Sequence, residues 1–225
     1  MTQQFPQWHP SSLDRAATRL TEGASAMNAS LDGGQVTRLL DYLQLMSHWN
    51  RAFNLTAVTE PMAMVERHLL DSLSIAPWLE ADRIVDAGTG AGLPGIPLAL
   101  CCPERQFQLI DSNGKKIRFV RNAIRTLSLS NVEAVQSRLE ALPVADCRVD
   151  ITCRALAPLH QLVAWVAPQL AAGSRLLAMK AELSDTERNG VPDDYNVRIE
   201  SIATAGEAGL DQPARCLVII RQSAP

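Results

Sequence analysis

Four glycines, Gly88, Gly90, Gly92 and Gly95, crowd into eight residues of the stretch RIVDAGTGAGLPGIP, which runs from Arg83 to Pro97. Ile84 and Val85 form a short apolar strand ending on Asp86, and an apolar run over 96–102 reads as a buried helix. Strand, glycine loop and helix start together make a ligand cradle. Glycine lets the backbone approach a ligand closely, and the helix start offers free N–H groups with a partial positive charge.

Three ligand classes use such a loop. A P-loop requires Lys and then Ser or Thr after its second glycine. Gly90 and Gly95 have that spacing, but Ile96 and Pro97 stand in those places, which argues against a nucleoside triphosphate. A dinucleotide site wants GxGxxG and an acid about 20 residues on; Gly90, Gly92 and Gly95 fit, with Asp111 closing the next strand. Sites for S-adenosylmethionine (SAM) carry an acid two residues before GxG, and Asp86-Ala-Gly88-Thr-Gly90 fits directly. The amino-acid end of SAM is a zwitterion without phosphate, so no pyrophosphate cradle is needed. Against a turn that binds nothing stands the backbone entropy that four glycines lose on folding.

The elements that must position this loop follow from the residue pattern. Strand candidates lie at 83–87, 106–111, 132–136, 149–153, 175–179, 197–204 and 216–221, with helices expected at 96–102, 115–127 and 159–170. Such alternation argues for an α/β fold with a parallel sheet covered on both faces. The last two strands are joined by a turn region at 206–213 without a helix, so they should pair antiparallel. A mostly parallel, Rossmann-like sheet with a C-terminal antiparallel hairpin is the outline of class I SAM-dependent methyltransferases. Residues 1–10 read as a loose tail. Helices are expected over 11–29 with Ser12 as cap, over 35–50, and over 61–79 with Thr59 as cap. The chain therefore divides into an N-terminal helical extension, 1–80, and a methyltransferase domain, 81–225.

At 225 residues, 47% hydrophobic and 20% charged, the chain has enough apolar material for a full core. A net charge of −3 excludes whole-molecule attraction to nucleic acid, so any RNA contact must come from a local patch. Five cysteines without CxxC spacing read as reduced core residues of a cytoplasmic protein. The four histidines have no metal-ligand spacing. No signal peptide and no membrane-spanning run is expected, and a monomer is expected.

Further stretches converge on one family. They are Trp49-Asn50 with Asn54-Leu55-Thr56, Arg67-His68-Leu-Leu-Asp71-Ser72, DAGTGAGLPGIP at 86–97, Leu109-Ile-Asp111-Ser112 with Lys115-Lys116, Gln136-Ser-Arg138-Leu139-Glu140, Arg154-Ala155 and Met179-Lys180. Together they resemble the bacterial ribosomal RNA small-subunit methyltransferase G family, also called glucose-inhibited division protein B, over about residues 35–221. The resemblance implies SAM-dependent methylation of N7 of one guanine in 16S ribosomal RNA of the small ribosomal subunit. Ala181 departs from it, since the family usually has glycine after the lysine.

The resemblance implies a cofactor site of Gly88, Gly90, Gly92, Leu93, Asp111, Leu139, Glu140 and Arg154. Asp111, at a strand end, suits the two ribose hydroxyls. Leu139 and Glu140 suit the adenine ring. Arg154 could bind the SAM carboxylate or an RNA phosphate, or make a structural ion pair. Arg67, His68, Asp71, Ser72, Lys115, Lys116 and Lys180 are the candidates for holding RNA. Taken alone, Arg67 and Asp71 read as an intrahelical ion pair four residues apart.

Lys115, Lys116, Arg118, Arg121 and Arg125 lie within eleven residues free of acids, whereas 182–211 holds eight acids and two arginines. That polarity could orient RNA on one face, although a solvated charged face explains such runs more often. Methylation of N7 removes no proton, so no general base is required and no catalytic residue is assigned. N7 faces the deep, narrow major groove of A-form RNA, so the target should be unpaired or extruded. Two competing readings are an NAD(P)-binding oxidoreductase, motivated by GxGxxG and Asp111, and a non-enzymatic RNA-binding assembly factor.

Overall fold

Alternating apolar side chains along the strands face two separate cores. In the computed structural model, which describes residues 8–202 and 215–223, strands β1 (Arg83–Ala87), β2 (Gln106–Asp111), β3 (Val132–Gln136), β4 (Val149–Arg154), β5 (Arg175–Lys180), β6 (Tyr195–Ile202) and β7 (Arg215–Gln222) form one sheet. Its order is β3-β2-β1-β4-β5-β7-β6. The first five strands pair in parallel, and β7 pairs antiparallel with both β5 and β6. Ile84, Phe107, Leu109, Leu177, Leu217 and Ile219 point to one core, and Val85, Ile110, Leu176, Val218 and Ile220 to the other. This is the period-two pattern of a sheet buried on both faces. The turn region expected at 206–213 lies outside the described residues.

On the first face sit α1 (Pro10–Ala26), α2 (Gly33–Phe53), α5 (Gly95–Cys101) and α6 (Gly114–Thr126). Leu20, Leu39, Leu43 and Met46 from the first two helices share a cluster with Leu98 and Phe119. The helices of the first 80 residues are thus packed onto the Rossmann-like sheet rather than beside it. The other face is covered by α7 (Leu159–Ala171), and a short α8 (Asp185–Asn189), absent from the sequence expectations, follows β5. Cys153 is buried and Cys101, Cys102 and Cys216 are half-buried, but Cys147 is exposed, so it is not the core residue expected; all five are unpaired.

Helix starts differ from expectation where side chains closer to the helix supply the cap. Helix α1 starts on Pro10, inside the expected tail, and its cap is His9 rather than Ser12. Asp32 and Gln35 form a reciprocal capping box that starts α2 two residues early. Glu60, not Thr59, caps α3 (Pro61–Met64).

The continuous helix expected over 61–79 is broken instead. After α3 come a π-helical stretch, Val65–Leu70, a single α turn, α4 (Asp71–Leu73), and a 3₁₀ turn, Ala76–Trp78. The Ser74 hydroxyl bonds back to the Asp71 carbonyl at 2.6 Å, and Pro77 has no N–H with which to continue a helix. Single-turn π segments recur at functional sites, and this one carries Arg67 and His68.

At the opposite end of the strands, Arg175 is 2% exposed and bonds Asp150 through Nε and Nη2, both at 2.6 Å. Its Nη1 reaches Glu80 at 2.6 Å, and the backbone N–H groups of Glu80 and Ala81 donate to Asp150. This buried pair ties the segment entering β1 to β4 and β5.

Candidate active site

Asp86 organises the glycine loop without lining the cavity. It is fully buried, and its Oδ2 accepts from the Thr89 hydroxyl at 2.5 Å and from Gly95 N at 2.9 Å. Burial pushes its carboxyl up to about 6, against the lowering effect of Thr89, the Gly95 N–H, Arg154 and Thr152. Gly95 packs so tightly that a Cβ there would lie 2.7 Å from Asp86 Oδ2 and 2.9 Å from Leu109 Cγ. Gly90 is the opposite case. Its φ is +59°, and a Cβ there would make only van der Waals contacts, 3.9 Å from Gly88 O and from Lys116 Nζ, residues that line the open space beside the loop. From α2, the buried Tyr42 donates its hydroxyl to Ala91 O at 2.6 Å and clamps the loop from the helical side.

The open space is a cavity of about 590 Å³ at the carboxyl ends of β1, β2 and β4, where ligands sit in open α/β sheets. Its volume is within the range of small-molecule sites. Of the residues singled out from sequence, Gly88, Gly90, Leu93, Asp111, Leu139, Glu140, Arg154, His68 and Lys116 line it. Gly92, whose φ is +92°, shapes the loop but does not line the cavity. Asp111 is 8% exposed, with one carboxylate oxygen taking Gly90 N at 2.9 Å and the other Asn113 N at 2.8 Å. Each oxygen keeps a further lone pair. Leu55, Thr56, Asn113, Arg138, Leu156 and Trp165 also line the cavity. Leu55, Thr56 and Arg138 belong to the family-like stretches but had no role assigned; Asn113, Leu156 and Trp165 come from loops and α7, and no local spacing announces them.

His68 is 5% exposed, and its Nε2 lies 2.9 Å from the Thr56 hydroxyl. Burial, followed by the nearby Arg154 charge, lowers its pKa to about 4, so the ring is neutral at physiological pH. Ser72 is fully buried and donates to the His68 carbonyl. Arg67 and Lys115 are exposed, and neither they nor Ser72 line this cavity.

Asp71 pairs across the fold rather than with Arg67. Its Oδ2 accepts from Arg154 Nη1 at 2.9 Å and its Oδ1 from Arg215 Nη1. Arg154 Nη1 also donates to the Arg67 carbonyl at 2.9 Å. Asp71, Arg154 and Lys180 line a second cavity of about 280 Å³ together with Arg215. Lys180 Nζ bonds Ala157 O at 2.8 Å and Glu187 at 2.5 Å. Arg215 was not among the sequence candidates; it is 144 residues from Asp71, and no pattern within the chain links the two.

Comparison with known proteins matches this geometry. Residues 35–208 fit the family model described as "rRNA small subunit methyltransferase G". The chain is 41% identical to the ribosomal RNA small subunit methyltransferase G of Marinobacter nauticus, over 96% of this chain and 97% of that one. It is 41% identical to that of Pseudomonas aeruginosa, over 92% and 96%, and 43% identical to that of Klebsiella pneumoniae, over 75% and 81%. Among solved structures, a mutant of MtNAS in complex with S-adenosylmethionine superposes with a TM-score of 0.57 at 14% identity, covering 95% of this chain and 98% of that one. Magnesium protoporphyrin IX methyltransferase from Synechocystis PCC 6803 with bound SAM gives 0.54 at 20% identity, over 86% and 99%. These two likenesses establish the Rossmann-like class I methyltransferase fold, and with the family model and the close relatives they lead to one conclusion: the chain belongs to the ribosomal RNA small subunit methyltransferase G family.

Proposed function

We propose that the 590 Å³ cavity holds SAM while its methyl group passes to N7 of one guanine in 16S ribosomal RNA of the small ribosomal subunit. One observation carries this reading. The loop residues Gly88, Gly90 and Leu93 meet Asp111, Leu139, Glu140 and Arg154 around a single cavity at the strand ends. The open side of Gly90 lets the ligand lie against bare backbone. Asp111, held by two backbone N–H groups, presents its remaining lone pairs to the ribose hydroxyls. Leu139 and Glu140 lie where the adenine ring would rest, and Gly92 holds the loop open. Arg154, His68 and Leu55 form the wall beside the acceptor.

When bound, SAM supplies a methyl group already activated on a sulfonium. The protein's residues orient the reactants and exclude water. Guanine N7 has a free lone pair and loses no proton, so no side chain acts as a base. A neutral His68 adds no further positive charge beside the sulfonium in a cavity that Lys116, Arg138 and Arg154 already line.

On this reading Arg67, His68, Asp71, Ser72, Lys115, Lys116 and Lys180 form or brace the RNA-facing rim. Residues 1–80 are a helical extension of a methyltransferase domain spanning 81–225, and the protein works as a monomer in the cytoplasm. No described helix is long and apolar enough to cross a membrane. Family membership sets the oxidoreductase reading aside, and NADH should leave the melting temperature unchanged.

The test is methyl transfer from labelled SAM to small subunits lacking the modification, followed by mapping of the labelled base. Label on N7 of one 16S guanine is expected. Folded protein that binds subunits but transfers no label would indicate an assembly factor instead.

A further inference from the structure

We infer that the second cavity, between the ends of β4, β5 and β7, is an anion subsite that grips a backbone phosphodiester of the target RNA strand, with Arg215 as a contact residue. The inference rests on the reading of the chain as an RNA methyltransferase. It adds a place for the strand that carries the target base.

Charge balance is the first argument. Arg154, Lys180 and Arg215 line the cavity, and among the described residues Asp71 is the one acid on its wall. Lys180 is matched by Glu187 at 2.5 Å, but Arg154 and Arg215 share the single carboxylate of Asp71. Among the described residues three cations are thus ion-paired to two carboxylates, the buried Asp86 acting on Arg154 without an ion pair, which leaves one cation with no ion-pair partner of its own. The side chains of the two arginines are only 24% and 28% exposed. A half-buried surplus charge beside an open cavity calls for an anion.

Donor geometry is the second argument. Among the described residues both arginines bond through Nη1 alone. Nε and Nη2 of each are without a partner among the described residues. A guanidinium held on one nitrogen with its remaining N–H groups free is built for bidentate capture of phosphate oxygens.

Position is the third. Arg154 and Ala155 line both cavities, so a phosphate in the smaller one lies next door to the methyl donor in the larger. Ala155 has φ of 50°, a left-handed conformation uncommon for a residue with a side chain. Such strain gathers at functional sites, and here it falls on the partition between the cavities.

The full chain and its Arg215→Gln variant are compared for binding to unmodified small subunits across a salt series, for steady-state methylation, and for SAM affinity. A phosphate contact predicts a subunit KM raised about tenfold and a log Kd against log salt slope reduced by about 1. SAM affinity should stay within about twofold. Arg215→Lys should restore the salt slope, because it keeps the charge. Arg221→Gln, on the far end of the same strand and paired with Glu80, should leave the slope untouched. If Arg215→Gln is unfolded at the assay temperature, Arg215→Met, which keeps the aliphatic stem and loses the charge, carries the same prediction.

A slope parallel to that of the parent chain, or a loss of SAM affinity equal to the loss of activity, overturns the inference. Absence of methylation by the parent chain would instead remove the function on which it rests.

Discussion

Gly90 and Gly95 belong to one loop, yet replacing them should fail in different ways. At Gly90 the backbone has φ of +59° and the added Cβ meets nothing closer than 3.9 Å. Gly90→Val therefore costs the strain of a left-handed L-residue, about 1–2 kcal/mol, and pushes its methyl groups into the space assigned to SAM. At Gly95 the Cβ would lie 2.7 Å from Asp86 Oδ2 and 2.9 Å from Leu109 Cγ. Gly95→Ala therefore overpacks the contact between α5 and the sheet, about 1–3 kcal/mol, without entering the cavity.

Thermal melts with and without SAM separate the two. At about 100 times its dissociation constant a ligand adds about 2.7 kcal/mol, which for a chain of this size raises the melting temperature by about 5–11 °C. The parent chain should show that rise. Gly95→Ala should melt lower but keep the rise, and Gly90→Val should melt slightly lower and lose it. A Gly90→Val protein that is stabilised by SAM as much as the parent would refute the placement of the ligand against this loop.

Further outcomes follow from the same geometry. Asp111→Ala removes the carboxylate assigned to the ribose, and titration calorimetry should find SAM binding weaker by about 1.5–3 kcal/mol, or about 10–150-fold; unchanged affinity would exclude the ribose role. The raised carboxyl of Asp86 makes the folded state bind more protons than the unfolded state between about pH 4 and 6, so its contribution falls by about 3 kcal/mol as pH rises through that window. His68, lowered to about 4, acts in the opposite sense: the unfolded state binds more protons there, and stability is lost as pH falls from about 6.5 to 4. Asp86→Asn removes the contribution that falls with pH, so its urea melts should show a stability–pH slope more positive than the parent's over this range; a profile parallel to the parent's would contradict the burial argument. Asp150→Ala leaves the 2%-exposed Arg175 with only the exposed Glu80 as counter-ion, should cost up to about 3–5 kcal/mol, and should lower the melting temperature while sparing the SAM-induced rise.

The sheet and the loop were legible in the sequence because they are written in local pattern. Alternating apolar residues located all seven strands within about two residues, and the glycine spacing with Asp111 at a strand end located the larger cavity. What local pattern could not carry is tertiary pairing. Arg67 and Asp71 look like helical neighbours, but Asp71 serves Arg154 and Arg215, which the ends of β4 and β7 bring to it. The helix expected over 61–79 was a sound reading of its apolar period. Ser74, Pro77 and the π-helical stretch break it where its carbonyls and side chains are needed by the site. Asp86 was legible as the motif acid, but its task of tethering Thr89 and Gly95 became visible only with the loop folded.

The central claim is a methyl donor lying along bare backbone with its sugar held by one carboxylate, and crystals grown with SAM test it most directly. Density should run across the loop at Gly88 and Gly90, with both ribose hydroxyls within hydrogen-bonding distance of Asp111 and the adenine beside Leu139. Well-ordered SAM bound anywhere else on the protein, with this cavity left to solvent, would contradict the account.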